Sequence, residues 1–537
     1  MTALIAHLLE LVPFRPPLST HYGAPLANGV LTKDGCLVCP WHSAVFHVET
    51  GDIECAPALD SLLSFPIETA DNGDIYVDAQ EDQLKGKPGR PTECQGQLQS
   101  DGPGLVIVGG GSATIHAVES ARKEGYKGKI TVLTKEPHAP YDRTKLSKAL
   151  IGDANALIWR SPAHMKNVLK TDVKTGANVQ SISLDDSSVK LESGDSVPYE
   201  NLLLATGGTP KRLPLPGAKE GELDGVHLLR TVPDVQAILG ALGDKADKDV
   251  VVIGSSFIGF EISIAIAGQK KAKSVNVVGM EDVPLSNILG AEVGKGLQTA
   301  QAKNNGLQFH MKAQVKGIKG ENGKATAVQI TNADGKDVDI KADVVVLGVG
   351  VAPATEYIKN SKGFPALEKD GSIAVDGYLR VQGLSNGAKN VFAAGDIATF
   401  PSFDGSSEKL RIEHWNVAGN QGRAVGATVA QTASKGGQGK KWDVLPVFWS
   451  ALGGQARYVS DGSAGGSPDE THVDGNSADG SFVAYYGRKG KVAAVASMGR
   501  DPIMVHSSVL MKEGRMPSMQ DIKGGKDPMS ISLGADQ

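Results

Sequence analysis

The sequence predicts a multidomain protein with a small all-β domain, two doubly wound α/β domains of which one is inserted into the other, and a C-terminal α+β domain. Short alternating strands with turn residues occupy the chain up to residue 80, and apolar strands alternate with helical patterns from residue 105. Apolar strands return after residue 430. The chain has 537 residues, 40% of them apolar and 21% charged, which is typical of a globular protein.

Composition excludes several classes of function. The net charge is −5, which disfavours nucleic-acid binding. No apolar run approaches the roughly 20 residues that a membrane-spanning helix needs. The N-terminal stretch MTALIAHLLELVPF lacks the basic start and cleavage site of a secretory signal and is not Arg-rich. We therefore expect a soluble protein of the cytoplasm, with mitochondria as the other compartment to consider.

The domain boundaries follow from changes in sequence texture. Turns at Asp34-Gly35 and Asn72-Gly73 divide the first domain into hairpins, and the polar stretch that follows it, 81–102, is predicted to be a linker. The apolar strands LVIVGGG, DVVVIGSS and ADVVVLGVG mark two nucleotide-binding folds. Residues 461–481 are predicted to be a solvated loop. The predicted bounds are 1–80 for the β domain, 103–235 with 341–430 for the first α/β domain, 236–340 for the inserted domain, 431–523 for the C-terminal domain and 524–537 for a poorly ordered tail.

The first glycine loop follows the strand LVIV and precedes a helix. Gly109, Gly110 and Gly111 leave backbone N–H groups and a helix N-terminus free to face a pyrophosphate, although Thr114 stands where a third glycine is usual. After the next strand, KITVLT, Glu136 is placed to accept a hydrogen bond from an adenosine ribose. This segment is therefore predicted to bind a dinucleotide.

The second loop, VVIGSSFIGFE, has Gly254, Ser256 and Gly259 at the three motif positions. Its downstream strand ends in Gly279 where an acid is usual, and Glu281 follows two residues later. No Arg or Lys follows closely to hold a 2′-phosphate, so NADH is favoured over NADPH.

Residues 103 to about 430 resemble the FAD/NAD(P)H pyridine-nucleotide oxidoreductase superfamily, because further motifs occur in the family's order. PYDRTKLSK (140–148), YENLLLATGGTP (199–210) and NVFAAGDIATF (390–400) resemble its flavin-contact, ATG and ribityl motifs. The resemblance implies that Arg143 contacts the FAD diphosphate and Asp396 the ribityl chain. It also implies that Lys148 and Glu261 act catalytically beside the flavin N5.

The resemblance extends to the rest of both nucleotide sites. EHW (413–415) and VFW (447–449) resemble motifs that cover the isoalloxazine ring, so Trp415 and Trp449 are expected to stack near it, with plain core packing as the alternative. The further residues that the resemblance implies bind FAD or NAD(H) are Ser112, Ala113, Ala205, Thr206, Gly207, Phe257, Ile258 and Gly350.

All four cysteines lie in the first hundred residues, at positions 36, 39, 55 and 94. Relatives of the glutathione-reductase type exchange electrons through a cysteine pair beside the flavin. This chain has no cysteine beyond Cys94, so its flavin must pass electrons to something other than a protein disulfide.

The N-terminal segment from LSTHYGAPL to CPWH resembles the Rieske [2Fe–2S] domain, in which two Cys hold one iron and two His the other. The resemblance implies that His21, Cys39 and His42 are iron ligands. Ser19 stands where the first cysteine is expected, and serine oxygen is a much poorer iron ligand than thiolate. Cys36 lies on the approach to the second loop, where it cannot replace Ser19.

Two hypotheses account for Ser19. In the first, the N-terminal sequence is a wrong or truncated translation and a cysteine precedes Thr20 in the natural protein. In the second, the domain is a degenerate Rieske domain kept for folding or for contact with a partner. The resemblance therefore implies a [2Fe–2S] cluster, and Ser19 argues against its assembly in the chain as written.

The order of domains is most similar to the Rieske-bearing branch of apoptosis-inducing-factor-like oxidoreductases. This implies that NADH gives a hydride to FAD, and that electrons then pass to the Rieske-type centre or to an external acceptor. The alternative is a redox-responsive signalling or interaction protein in which turnover is incidental. An oxygenase component or a nitrite-reductase assembly is disfavoured, because the chain lacks a domain for a mononuclear iron and cysteines for further cofactors. The sequence leaves the acceptor and the oligomeric state open, with a homodimer as one option.

Overall fold

A computed structural model describes residues 18–79, 89–99, 102–403, 405–435, 437–462 and 468–533. The N-terminal stretch MTALIAHLLELVPF and part of the predicted linker lie outside these ranges. Within them, no helix combines the length and the apolar character needed to cross a bilayer. The predicted fold class is confirmed.

The N-terminal domain is built from short antiparallel strands. Its sheets have the strand orders β1-β2-β3-β4, β5-β8 and β6-β7. The strands are β1 (Val30–Leu31), β2 (Cys36–Val38), β3 (Val45–His47), β4 (Ile53–Cys55), β5 (Ser61–Leu62), β6 (Ile67–Thr69), β7 (Ile75–Val77) and β8 (Gly89–Arg90). Because β8 pairs with β5, the predicted linker 81–102 in part belongs to this domain, which corrects the prediction. Buried Leu26 and Phe46 anchor a core of few residues.

The first α/β domain has a five-stranded parallel sheet of order β11-β10-β9-β15-β27. Its strands are β9 (Leu105–Val108), β10 (Ile130–Leu133), β11 (Thr171–Lys174), β15 (Asn201–Leu204) and β27 (Val391–Ala393). The last strand comes from far along the chain, as an inserted domain requires. β9 and β10 are buried along their whole length, as strands covered on both faces must be.

The inserted domain repeats this plan with the parallel order β17-β24-β18-β19-β20. The strands are β17 (Val226–His227), β18 (Asp249–Ile253), β19 (Ser274–Val278), β20 (Gln308–His310) and β24 (Val344–Leu347). Smaller sheets flank both domains, and their strands are β12 (Val179–Ser183), β13 (Ser188–Leu191), β14 (Ser196–Pro198), β16 (Gly208–Pro210), β21 (Gln314–Glu321), β22 (Lys324–Thr331), β23 (Asp337–Lys341), β25 (Val351–Pro353), β26 (Ile373–Ala374), β28 (Ala398–Pro401) and β29 (Lys409–Leu410).

The C-terminal domain is an antiparallel sheet of order β30-β31-β34-β33-β32 with helices packed against it. Its strands are β30 (Val447–Ala451), β31 (Gln455–Ser460), β32 (Glu470–Asn476), β33 (Ser481–Arg488) and β34 (Lys491–Met498). The prediction that 461–481 is a loop is wrong, because β32 lies within it; this polar, half-exposed edge strand carries no apolar alternation. The predicted tail is also wrong in part, since Leu533 is buried in the domain core.

The helices connect the parallel strands and close the C-terminal sheet. They are α1 (Ser112–Lys123), α2 (Thr144–Ala149), α3 (Pro162–Asn167), α4 (Val232–Leu242), α5 (Phe257–Gly268), α6 (Ser286–Asn305), α7 (Trp415–Lys435), α8 (Ile503–Lys512) and α9 (Met519–Lys523). Short 3₁₀ turns cover Leu26–Asn28, Ala154–Ala156, Glu356–Asn360, Gly395–Ile397, Ser477–Asp479 and Pro528–Ser530. Helices α1 and α5 begin directly at the two predicted glycine loops.

The N-terminal domain is docked on α1, α7 and the C-terminal sheet. The Ala56 N–H donates to Asn420 Oδ1 of α7 (2.8 Å), and Lys123 Nζ of α1 donates to the Ile53 carbonyl (2.9 Å). Arg457 Nε of β31 donates to the Trp41 carbonyl (2.7 Å). The domain therefore lies over the region where the α/β and C-terminal domains meet.

Arg160 joins the N-terminal domain to the first α/β domain through ion pairs with two carboxylates. Its guanidinium contacts Asp60 of the N-terminal domain and Glu119 of α1, each at 2.6 Å. We expect Arg160→Met to lower the free energy of unfolding by about 3 kcal/mol, because Glu119 is left buried without its cation. Urea denaturation measures this loss. The matched control is Arg90→Met: Arg90 is more than half exposed in its pair with Asp52, so its loss should cost less than about 1 kcal/mol, and an equal cost would contradict the prediction.

Candidate functional site

Two adjoining cavities, of about 480 and 200 Å³, open where the first parallel sheet ends. Gly111, Arg143, Gly207 and Arg230 line both, so the cavities form one continuous cleft. Glu136 lines the larger cavity, and the smaller cavity reaches the inserted domain. An elongated ligand that spans both would therefore contact the first glycine loop and Ile258 of the second.

The first glycine loop shows why each glycine is needed. Gly109 has a φ of +121°, and a Cβ there would lie 2.1 Å from the Ala205 carbonyl oxygen. A Cβ on Gly110 would lie 2.7 Å from Thr134 Oγ1. A Cβ on Gly111 would meet no protein atom within 4 Å and would project into space that both cavities share. This open cradle at the N-terminus of α1 fits the diphosphate of FAD.

Glu136 and Arg143 are paired in the larger cavity. Their side chains form an ion pair, and Tyr141 Oη donates to Glu136 Oε2 (2.6 Å). Burial alone raises the pKa of Glu136, but the charge and hydrogen bond of Arg143 outweigh it, so the net pKa lies below its usual value. Glu136 is therefore an ionised acceptor, as ribose recognition requires.

The smaller cavity holds the predicted ribityl and ring contacts. Asp396 lines it and forms an ion pair with Arg230 (2.8 Å), which the sequence did not single out. Trp415 lines it as well, and its buried Nε1 has no hydrogen-bond partner among the described residues. A buried indole N–H without a protein partner at the wall of a cavity is suited to a ligand acceptor.

The second glycine loop faces the same cavity from the inserted domain. Gly254 has a φ of +114°, and a Cβ on Gly259 would lie 2.0 Å from the Gly254 carbonyl oxygen, so both positions require glycine. Ile258, which is 46% exposed, and Gly350 line the cavity. Glu281 accepts a hydrogen bond from Ser255 Oγ (2.6 Å).

Glu261 is the most heavily bonded carboxylate of the site and is only 2% exposed. It forms an ion pair with Lys148 (2.9 Å) and accepts hydrogen bonds from the hydroxyls of Ser147 and Ser450 (2.5 Å each) and from the Ala451 N–H (3.3 Å). These partners come from the first α/β domain and the C-terminal sheet, and Glu261 itself belongs to the inserted domain. Lys148, which lines the smaller cavity, is therefore held in place by a contact between three domains.

A row of rings leads from the smaller cavity to the N-terminal domain. His414 lines the cavity, its ring centroid lies 4.7 Å from that of Trp449, and Trp449 lies 4.3 Å from His42. Burial lowers the pKa of His414 to about 3, so this ring is neutral. Trp449 does not line the cavity. It stands behind His414, and its predicted place near the flavin ring stays a prediction.

The rings of His21 and His42 lie close enough together to bind one iron ion. Their Nδ1 atoms are 3.1 Å apart, close to the roughly 3.4 Å between two nitrogens bound at about 2.1 Å to one tetrahedral metal. Burial lowers the pKa of His21 to about 3 and that of His42 well below its usual value. Both rings are therefore neutral, which metal ligation requires.

The remaining donors do not complete a [2Fe–2S] centre. Cys39 is buried, and Ser19, also buried, stands in the other loop. No group of three or more His, Cys, Asp or Glu side chains within the described ranges could hold a single metal ion. The residues present thus fit one iron with two histidines but offer only one thiolate for the second.

Most of the predicted residues line the cleft. Those that do are Gly109, Gly111, Ser112, Ala113, Glu136, Arg143, Lys148, Ala205, Thr206, Gly207, Ile258, Gly350, Asp396 and Trp415. Gly254, Ser256, Phe257, Gly259, Glu261 and Glu281 line neither cavity. Their individual roles stay predictions.

Sequence reasoning missed Arg230, His414, Ser147 and Ser450. Three of these directly precede or follow a residue that was identified, namely Trp415, Lys148 or Trp449, so the flanking positions of each motif carried the information. Arg230 had no such neighbour, and only the fold reveals its pairing with Asp396.

Comparison with known families gives two matches. Residues 103–422 match the family described as pyridine nucleotide-disulphide oxidoreductase, and residues 18–66 match the Rieske [2Fe-2S] domain. The first match covers the whole cleft, and the second includes Ser19 and the His21–His42 pair.

Individual relatives agree with these matches. The chain is 33% identical over 511 residues to apoptosis-inducing factor 3 of Homo sapiens, covering 94% of this chain and 79% of that protein. It is 32% identical over 385 residues to rhodocoxin reductase of Rhodococcus erythropolis, covering 71% and 83%. A crystal structure of a ferredoxin reductase from Rhodopseudomonas palustris superposes with a TM-score of 0.68 at 26% identity, covering 80% and 99%.

Proposed function

We propose that this chain, which belongs to the pyridine nucleotide-disulphide oxidoreductase family, moves electrons from NADH to a one-electron carrier. It is a ferredoxin-reductase-like FAD- and NAD(P)H-dependent oxidoreductase with a Rieske domain. The observation that carries the proposal is the cleft lined by the first glycine loop, by Ile258 of the second, and by Lys148, Asp396 and Trp415. FAD bound there would accept a hydride and release the two electrons one at a time.

The chain's own residues provide binding and orientation. Gly111 and the N-terminus of α1 would hold the FAD diphosphate, Glu136 the adenosine ribose and Asp396 the ribityl chain. Ile258 and Gly350 would position the nicotinamide end of NADH. This arrangement supports hydride transfer across the junction of the two nucleotide-binding domains.

Lys148 supplies a positive charge in the smaller cavity, which reaches the inserted domain. Glu261 holds the ammonium in place, and the two serine hydroxyls fix the carboxylate in turn. A fixed cation beside the reacting ring would stabilise the negative charge that hydride transfer brings to it. We therefore infer that Lys148 and Glu261 act as one unit.

The row His414–Trp449–His42 supports an exit for single electrons toward the N-terminal domain. A Rieske-type centre of this chain was one of the two acceptors expected, but its donor set is incomplete at Ser19. We therefore infer an external carrier. Relatives named ferredoxin--NAD(P)(+) reductase suggest a carrier of the ferredoxin type.

Anaerobic stopped-flow spectroscopy with purified protein tests the proposal. We expect NADH to bleach the flavin band and a [2Fe–2S] ferredoxin to restore it over many turnovers. NADPH should bleach the band at least about tenfold more slowly, because the Glu281 carboxylate would repel its 2′-phosphate. Trp449→Leu should slow reoxidation by the ferredoxin about tenfold, which is about 1.4 kcal/mol of barrier, while ferricyanide still reoxidises the flavin normally. A flavin that NADH does not bleach would contradict the proposal.

The similarity to apoptosis-inducing factor 3 supports a second candidate, a redox-responsive interaction protein with incidental turnover. The same experiment separates the two. Bleaching by NADH followed by slow reoxidation with every carrier, and a long-lived complex of reduced flavin and nicotinamide, would favour the second candidate.

A further inference from the structure

Two loops of the N-terminal domain share one backbone framework. The Ser19 N–H donates to the Ala24 carbonyl (2.9 Å), and the Ser19 carbonyl accepts from the Gly23 N–H (2.9 Å). Cys39 repeats the pattern: its N–H donates to the carbonyl five residues on (2.8 Å), and its own carbonyl accepts from the residue four on (3.2 Å). Ser19 and Cys39 therefore occupy equivalent places.

Each of the two loops also has a residue in the left-handed conformation at the same place. Gly23 (φ +74°) and Ser43 (φ +58°) both adopt the left-handed conformation, each four residues after its loop's first position. Ser43 is not glycine, so the framework holds it there against its preference. The two loops are formed in full even though one begins with serine.

The two loops bring their histidines together and bury their first residues. Ser19 is 2% exposed and Cys39 is 1% exposed. His21 follows Ser19 by two residues, His42 follows Cys39 by three, and the two Nδ1 atoms meet at 3.1 Å. The two histidines thus come from the two loops, one from each, and the single thiol, Cys39, from the start of the second loop; no three His, Cys, Asp or Glu side chains in the described part of the chain form a single-ion site.

A serine hydroxyl at this place differs from a thiol in its chemistry. Thiolates hold iron–sulfur clusters because a soft, readily ionised sulfur binds iron tightly, whereas a buried hydroxyl keeps its proton. Ser19 Oγ instead accepts from the His21 N–H, at 3.4 Å. The loop therefore holds the Ser19 hydroxyl by a hydrogen bond from its own backbone.

We propose that the N-terminal domain is a preorganised [2Fe–2S] cradle that lacks one sulfur atom, so that the chain does not retain the cluster and Ser19→Cys alone creates a complete site. This inference concerns the N-terminal domain only and does not depend on the proposed function of the cleft.

The test uses the full-length flavoprotein, reconstituted anaerobically with ferrous iron and sulfide and then desalted. Iron and acid-labile sulfide are measured per chain, and electron paramagnetic resonance is recorded after dithionite reduction. We expect Ser19→Cys to hold roughly two irons and two sulfides and to give a cluster signal. The unmodified chain and Ser19→Ala should hold at least about tenfold less.

Two further variants, made in the Ser19→Cys background, define the ligands. Cys39→Ser should abolish the gain, whereas Cys36→Ser should preserve it, because Cys36 lies on β2 outside the two loops. Bound FAD reports that the α/β domains of each variant are folded, and limited proteolysis reports the same for the N-terminal domain. Two irons and two sulfides in the unmodified chain would overturn the proposal by making Ser19 a ligand, and a folded Ser19→Cys protein without iron would overturn it by showing that the cradle is not preformed.

Discussion

Gly111→Leu is expected to give a folded protein that has lost its FAD. The Gly111 backbone is extended, with φ −105° and ψ −161°, so a leucine is sterically acceptable there. Its side chain would project into the space that both cavities share, where no protein atom lies within 4 Å. We expect FAD affinity to fall by at least about 100-fold, which is about 2.7 kcal/mol, because the side chain and the diphosphate would compete for one space.

The ratio of flavin to protein absorbance after purification measures this loss, and isothermal titration of the apoprotein with FAD gives its size. The matched control is Gly240→Ala, since a Cβ at this exposed helical glycine also meets no atom within 4 Å but lies away from the cleft. That control should keep its FAD and gain slight stability. A Gly111→Leu protein that retains FAD would place the cofactor elsewhere.

Glu261→Gln is expected to slow flavin reduction by NADH about 100-fold, equivalent to about 2.7 kcal/mol of barrier. Glutamine preserves the size of the side chain but removes the charge that holds Lys148 at 2.9 Å. Its amide can also no longer accept all of the hydrogen bonds that Ser147 and Ser450 donate. The Lys148 ammonium would then be free to leave the reacting ring.

Single-turnover stopped-flow kinetics separates this effect from binding. The rate at saturating NADH should fall while the NADH concentration for half-maximal rate changes little, because Glu261 does not line the cleft. Glu292→Gln, at an exposed position of α6, is the control and should leave both values unchanged. A Glu261→Gln rate within a factor of two of the unmodified protein would show that the buried carboxylate serves stability alone.

Glycine loops are predictable from sequence because a backbone requirement leaves its mark on residue type. Gly109 and Gly254 both adopt positive φ and both face a carbonyl oxygen at close range, so no other residue fits. By contrast, the partners of Glu261 come from positions 114 residues before it and 189 residues after it. Their convergence depends on how three domains pack, which no local pattern encodes.

Strand β32 was missed for a different reason. It pairs only with β33 at the edge of the C-terminal sheet, and its residues are half-exposed and polar. An edge strand of this kind needs no apolar alternation, because its backbone bonds alone place it in the sheet. The buried Leu533 was likewise hidden in a stretch that is otherwise polar.

The docking of the N-terminal domain has a consequence for the order in which the protein is made. Ala56 bonds to a residue 364 positions later, and the Trp41 carbonyl accepts from one 416 positions later. At about 5–20 residues per second, the ribosome needs on the order of 20–80 s to deliver the surface on which this small domain rests. Until then, the face of the N-terminal domain that meets α7 and β31 lacks its partner surface, so a growing chain exposes this face to solvent for that interval.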